Sequence, residues 1–384
     1  MDSMHWRSYL EYHHQLQDFA RRKSDGEVFE ELKLASVLEV PALMFEASKP
    51  EDKVYAMHRI CKQLGFQLPQ PDYHKHIAVI YTETTRAIIH YEKGLSILSS
   101  VVGSSSLSLD IPSWVPNFSG SHRRWSPSNP PHLVGRGFEG KASSESEYQY
   151  QFEPDGRGLK VKGRLFDRTC AVGDPWKTDH TTSLLGNASS NTGQFIGSFL
   201  DCIGSWIEVV EGSTDRVQGD ASLTALASVL TRCQETIHGS PLPFSETERC
   251  LSILLDRAAT TNTERRHVLV DHPGPSLNMS DPSACIRIGH YFMTRSMHHF
   301  FMKLEQVTTW ESFVRTTRDC LGLGPYSTRL GDQVVIIDGS KTPCVIRSCA
   351  NGYHYIGEAY IDGIMNGEFW HAGLSSDDEW FVLL

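Results

Sequence analysis

The chain is poor in features that announce a chemistry. It has no apolar run of the roughly eighteen residues that a spanning helix needs, so no membrane span is expected. Positive charge is in deficit: 36 Lys and Arg face 46 Asp and Glu, a formal net charge of −10. Nucleic-acid binding needs basic side chains to neutralise phosphates, so this balance argues against it. The nine cysteines are odd in number, scattered, and never form Cys-x-x-Cys. A zinc site or disulfide framework is therefore not expected, and reduced thiols in the cytosol are. There is no Gly-x-Ser-x-Gly elbow, no P-loop and no His-Glu-x-x-His. The usual anchors of serine hydrolases, NTPases and zinc proteases are thus missing.

Two matches of letters fail on context. Gly135-Arg136-Gly137-Phe138-Glu139-Gly140 spells the dinucleotide fingerprint. That motif needs a strand before it and a helix after it. Here Pro130-Pro131 precedes and Ala142-Ser143-Ser144 follows, so nucleotide binding is rejected. The histidine pairs His13-His14 and His298-His299, and His74 with His76, point apart on a helix, so no metal is expected either. No cofactor is expected. Met1 to Gln15 carries Asp2, His5, Arg7 and Glu11 and does not read as a signal peptide. A cytoplasmic location follows as the expectation, with the sequons at Asn117, Asn187 and Asn278 as chance matches.

What is present is an ordinary globular composition, 40% apolar and 21% charged, which supplies a core. Apolar residues recur at helical spacing over 3–22, 28–38, 51–65, from Asp72 to just past Tyr91, 195–210, 221–237, 246–258 and 286–304. Alternation marks strands over 148–153 and 158–166, with Asp155-Gly156 in the turn between them. Between the helical first third and these strands lies Ile111-Pro112-Ser113-Trp114-Val115-Pro116. Both prolines fix φ and restrict the residue before, so Trp114 is held rigidly, as a core plug or as the wall of a ligand pocket.

The stretch from Leu321 to Glu368 is the most structured by its letters. Val334-Val335-Ile336-Ile337, Pro343-Cys344-Val345-Ile346-Arg347 and the run to Ile361 are separated by Asp338-Gly339 and Asn351-Gly352. Such dipeptides favour hairpin turns because they accept positive φ. An antiparallel meander over 311–368 is expected. Helices and strands come in blocks, so the fold class is α+β. A helical layer would cover a small antiparallel sheet or barrel, its strands drawn from 148–166 and 311–361. The chain divides into a helical region, 1–118, and a mixed α/β region, 119–384, interwoven as one unit.

Gly-Leu-Gly-Pro at 322–325 with Leu321, Gly331-Asp332, the Pro343 to Arg347 run and Gly357-Glu358-Ala359-Tyr360-Ile361-Asp362-Gly363-Ile364-Met365-Asn366-Gly367-Glu368 occur in that order. With Asp52-Lys53-Val54-Tyr55-Ala56, Pro71-Asp72-Tyr73 and the Trp114 patch, they resemble the region C-terminal to the HET domain of fungal heterokaryon incompatibility proteins. Departures from that pattern are Lys49-Pro50-Glu51-Asp52 and Pro116-Asn117-Phe118. The Tyr-Val-Trp-Gly and Ile-Asn-Gln motifs of the HET domain itself do not occur in these 384 residues. The resemblance therefore implies an intracellular interaction or regulatory module of non-self recognition without the death-signalling domain. A second reading is a cofactor-independent enzyme, a pericyclase-like cyclase or isomerase of fungal small-molecule biosynthesis, with aromatics and histidines lining an apolar pocket. The partner would accordingly be a protein or an apolar small molecule. Candidate catalytic residues are Glu358, Tyr360 and Asp362, which alternate and would project to one face of a strand. Trp114 is the candidate ligand-binding residue.

Overall fold

A computed structural model describes residues 47–101, 110–119, 140–144, 146–176, 192–212, 220–235, 243–259, 310–371 and 378–384, with the single positions His14, Arg21, Leu38, Phe300, Leu304, Val307 and Thr308. The expected helices over 3–22, 28–38 and 286–304 lie largely outside them, as does most of the rejected fingerprint.

One long strand organises the sheet. After the short β1 (Tyr150–Phe152), the chain turns through Asp155, whose carboxylate accepts from the backbone of Arg157 and Gly158. It then runs as β2 for 14 residues, Leu159–Val172. The first half of β2 pairs with β1 and with β9 (Glu379–Leu383). Its middle pairs with β5 (Gln333–Ile337). β5 pairs with β6 (Cys344–Cys349), β6 with β7 (Gly352–Glu358), and β7 with β9. These pairings return to β2, so β2, β5, β6, β7 and β9 close into a ring, which removes free edges. The end of β2 leaves the ring and pairs with β3 (Glu311–Thr316), which is followed by β4 (Leu321–Pro325) and β8 (Tyr360–Ile361).

Among the described residues the sheet has nine strands, and it is larger than expected. It is also mixed: β7 and β9 run parallel, joined at Tyr353 and Leu383 alone. The segment 111–116 reinforces this thin join. Ser113 donates its N–H to the Leu384 carbonyl (2.7 Å), and its Oγ accepts from the Tyr355 N–H (2.8 Å).

Helices cover the sheet on two sides. α1 (Asp52–Tyr55) and α2 (His58–Gln63) replace the single helix expected over 51–65, and Gly65, at φ +87°, ends them. α3 (Ile77–Glu92) starts later than expected, because the His76 side chain caps it by accepting from the Ala78 N–H. Three threonines inside α3 (Thr82, Thr84, Thr85) return their hydroxyls to carbonyls one turn back, which keeps the last two satisfied in the core. This layer and the Trp114 segment share one apolar cluster with Leu159, Val161, Val335, Ile337, Cys344, Ile346, Tyr355, Phe381 and Leu383, residues of all five ring strands. On the other side, α4 (Thr192–Glu211), α5 (Asp220–Glu235) and α6 (Phe244–Ala259) form a second cluster with Phe313, Leu321, Leu323 and Tyr360. A short α7 (Glu368–His371) precedes β9.

Candidate functional site

The three candidate carboxylate and phenol groups do not share a strand face. β7 ends at Glu358, where Ala359 leaves the ladder and donates to the Pro343 carbonyl (2.9 Å). Tyr360 restarts the pairing in a different ladder, opposite Leu323 of β4. Glu358 is therefore parted from Tyr360 and Asp362, and the alternation expected from 358 to 362 is broken at Ala359.

Tyr360 and Asp362 do meet. The Tyr360 hydroxyl donates to Asp362 Oδ1 (3.2 Å), and Asp362 holds Arg232 of α5 at 2.7 Å. Burial, reinforced by the Asp362 charge, pushes the Tyr360 phenol well above its ordinary range. Tyr360 thus keeps its proton and gives it to Asp362 as a hydrogen bond. The chain of three groups ties α5 to the sheet.

Glu358 enters a different group. Opposite it on β6 stands Cys344, fully in the core. Burial first, and the Glu358 charge second, raise the Cys344 thiol, so it stays protonated and inert. Tyr148 comes in from the segment before β1. Burial, followed by the charges of Glu358 and of Glu92 at the end of α3, pushes its phenol up to about 12. Its ring lies in a slot between two glycines. A Cβ on Gly339 would meet the ring at 2.7 Å, and one on Gly94 at 3.3 Å. Ser96 donates its hydroxyl to Glu92. So two carboxylates do converge on a phenol, but they are Glu92 and Glu358 around Tyr148. Local spacing in the sequence gives no sign of this group, since its members come from α3, the approach to β1, and β7.

Trp114 is fully buried. Its Nε1 donates to the Arg157 carbonyl (2.7 Å), and its ring packs on Phe152. The segment does meet the C-terminal sheet, and Ser113 fills the junction as described above. At Gly357, where φ is +144°, a Cβ would meet Pro325 at 2.8 Å and the Val101 carbonyl at 3.1 Å, so the group that approaches there is the protein's own. At Gly363, φ +87° and open space mark a turn instead.

A further buried acid lies in the β5–β6 turn. Asp338 is 3% exposed, and its Oδ1 has no hydrogen-bond partner among the described residues. Burial and the nearby Asp378 charge raise its carboxyl, against Lys162 and Arg164. Both cations are engaged by Asp378, at 2.9 and 2.7 Å. A raised folded-state value means that Asp338 favours the fold when protonated. That contribution is present below the ordinary carboxylate range and is lost as pH rises through the folded value. Asp338→Asn is accordingly expected to stabilise at pH 7, by on the order of 1 kcal/mol, and to lose this advantage at acid pH. Urea titrations at pH 7 and pH 3.5 check this; a destabilised Asn variant at pH 7 contradicts it.

Comparison with known proteins now bears on the ring. Residues 277–382 match the Het-6 beta-barrel domain family. That span holds β5, β6, β7 and nearly all of β9, while β2, which closes the ring, lies before it. The chain is 32% identical over 92 residues to heterokaryon incompatibility protein 6, OR allele, of Neurospora crassa. The alignment covers 23% of this chain and 13% of that protein. No solved structure matches. The C-terminal region of this chain, where the strands close on themselves, is thus similar to the barrel region of fungal heterokaryon incompatibility proteins.

Proposed function

We propose that the chain is an interaction or regulatory module of fungal non-self recognition, acting in the cytoplasm on a protein partner. The observation that carries this reading is the match of residues 277–382 to the Het-6 barrel family. The site geometry supports it. The groups that sequence spacing marked for chemistry hold elements together: Asp362 binds Arg232, Tyr360 binds Asp362, and Trp114 binds the Arg157 carbonyl. The net charge of −10 favours a protein partner over nucleic acid.

The test is expression in a fungal host that is then paired with genetically different strains. Growth of the expressing strain alone is expected to be normal, since the motifs of the death-signalling HET domain do not occur in these 384 residues. The frequency of stable fusion is expected to change. Unchanged fusion together with new or missing small metabolites would sink the proposal in favour of an enzyme.

A further inference from the structure

Ser144 lies on a turn that the fold clamps from two sides. Lys141 donates its N–H to the Met365 carbonyl (2.7 Å), and Ala142 donates to the Lys341 carbonyl (3.1 Å). Ser143 is fully buried, and its hydroxyl donates to the Ser340 carbonyl (2.7 Å). The Ser144 N–H closes the turn onto the Lys141 carbonyl (2.7 Å), which holds Ser144 at φ +57°. A left-handed conformation is unfavourable for a side chain larger than glycine, and such strain concentrates at functional positions. It turns the hydroxyl toward solvent and toward the end of α7.

There Ser144 Oγ meets His371 Nε2 at 3.0 Å. The imidazole is itself placed. The backbone N–H of His371 donates to the Gly367 carbonyl (3.0 Å) as a helical bond, and Gly367, at φ +83°, lies against the ring. A Cβ at Gly367 would come within 3.2 Å of the ring, so this glycine leaves the space the imidazole needs. A hydroxyl within hydrogen-bond reach of an oriented imidazole is the arrangement of an activated nucleophile.

We propose that Ser144 and His371 form a nucleophile–base pair that transfers small acyl groups from activated esters to water. With its own proton on Nδ1, the neutral imidazole accepts the Ser144 hydroxyl proton at Nε2. Oγ bonds to the acyl carbon, the bond from that carbon to the leaving oxygen breaks, and the imidazolium protonates the departing alkoxide. Water then gives its proton to Nε2, attacks the acyl-serine, and the Oγ–acyl bond breaks as the proton returns to Oγ. The balance needs ester and water alone. The pair faces solvent, so it suits short acyl groups. This activity is independent of the recognition role.

The full chain is treated with a fluorophosphonate probe and, separately, with p-nitrophenyl acetate. Intact mass and peptide mapping locate the adduct. A single adduct on Ser144 is expected, with a p-nitrophenol burst of about one equivalent. Ser144→Gly suits the positive φ and keeps the turn, so it should fold and lose the adduct. His371→Ala should label on the order of 10²-fold more slowly. No adduct, an adduct elsewhere, or labelling of Ser144 at an unchanged rate in His371→Ala would each overturn the proposal. Thermal unfolding of both variants accompanies the test. A hydrogen bond with only a structural role would move the melting temperature and leave the native chain unlabelled.

Discussion

Trp114→Ala is expected to destabilise the protein by about 3–5 kcal/mol, the cost of emptying a large buried aromatic site. The side chain is fully buried, so its whole indole volume becomes cavity. The loss reaches further than the ring. The neighbouring Ser113 bonds both Leu384 and Tyr355 at the thin parallel join of β7 and β9, and Trp114 seats that segment by its bond to the Arg157 carbonyl. Trp114→Phe keeps most of the packing and lacks the Nε1 donor, so it should cost distinctly less. Urea unfolding of the two variants separates the readings of this residue. A pocket wall would leave the Ala variant within about 1 kcal/mol of the native chain, as surface changes usually do.

The meander was legible because its turn chemistry is local. Asp338-Gly339 does turn β5 into β6, with Gly339 at φ +77°. At the second hairpin, Cys349 pairs with Gly352, so the loop residues are Ala350 and Asn351, and positive φ falls on Gly352 alone. Gly352 is needed for another reason: a Cβ there would meet the Val382 carbonyl of β9 at 2.5 Å. The α4 to α6 helices followed from their periodicity. Strand β4 is harder to read, since Leu321-Gly322-Leu323-Gly324-Pro325 has weak strand propensity. Its glycines answer to tertiary contact, because a Cβ on Gly322 would lie 2.1 Å from the Tyr360 carbonyl. The far half of β2 carries Asp167, Arg168 and Thr169, beyond the end of the alternation at 166. Asp167 is held there by the Thr317 hydroxyl and the Arg318 N–H, partners more than a hundred residues away in the chain. β9 is only five residues long and gains its order from β2. The Glu92, Tyr148 and Glu358 cluster was hidden for the same reason: only the closed ring brings its members together.

The same logic sets the second large effect, at Asp332. This carboxylate is 3% exposed and carries three bonds. Arg347 Nε and Nη2 donate to its two oxygens at 2.8 Å each, and the Arg329 N–H donates at 2.7 Å. Arg347 Nη2 also donates to the Ser327 carbonyl (2.7 Å). The pair therefore fastens the loop from Ser327 to Gly331 onto β5 and β6, two strands of the ring. A bidentate guanidinium–carboxylate pair is strong in geometry, yet its net contribution to stability is small, because both charges leave water. Removing one partner is different, since the other charge stays behind uncompensated. Asp332→Ala is thus expected to cost about 3–5 kcal/mol. Arg347→Met should cost a comparable amount, because it strands the more deeply buried partner, the Asp332 carboxylate, with the Arg329 N–H left of its three bonds. The double variant Asp332→Leu with Arg347→Met should recover most of the loss, since no buried charge then remains. A double-mutant cycle by urea unfolding measures this directly. If the double variant is as unstable as the sum of the singles, the two side chains act independently, and the loop is held by its backbone bonds instead.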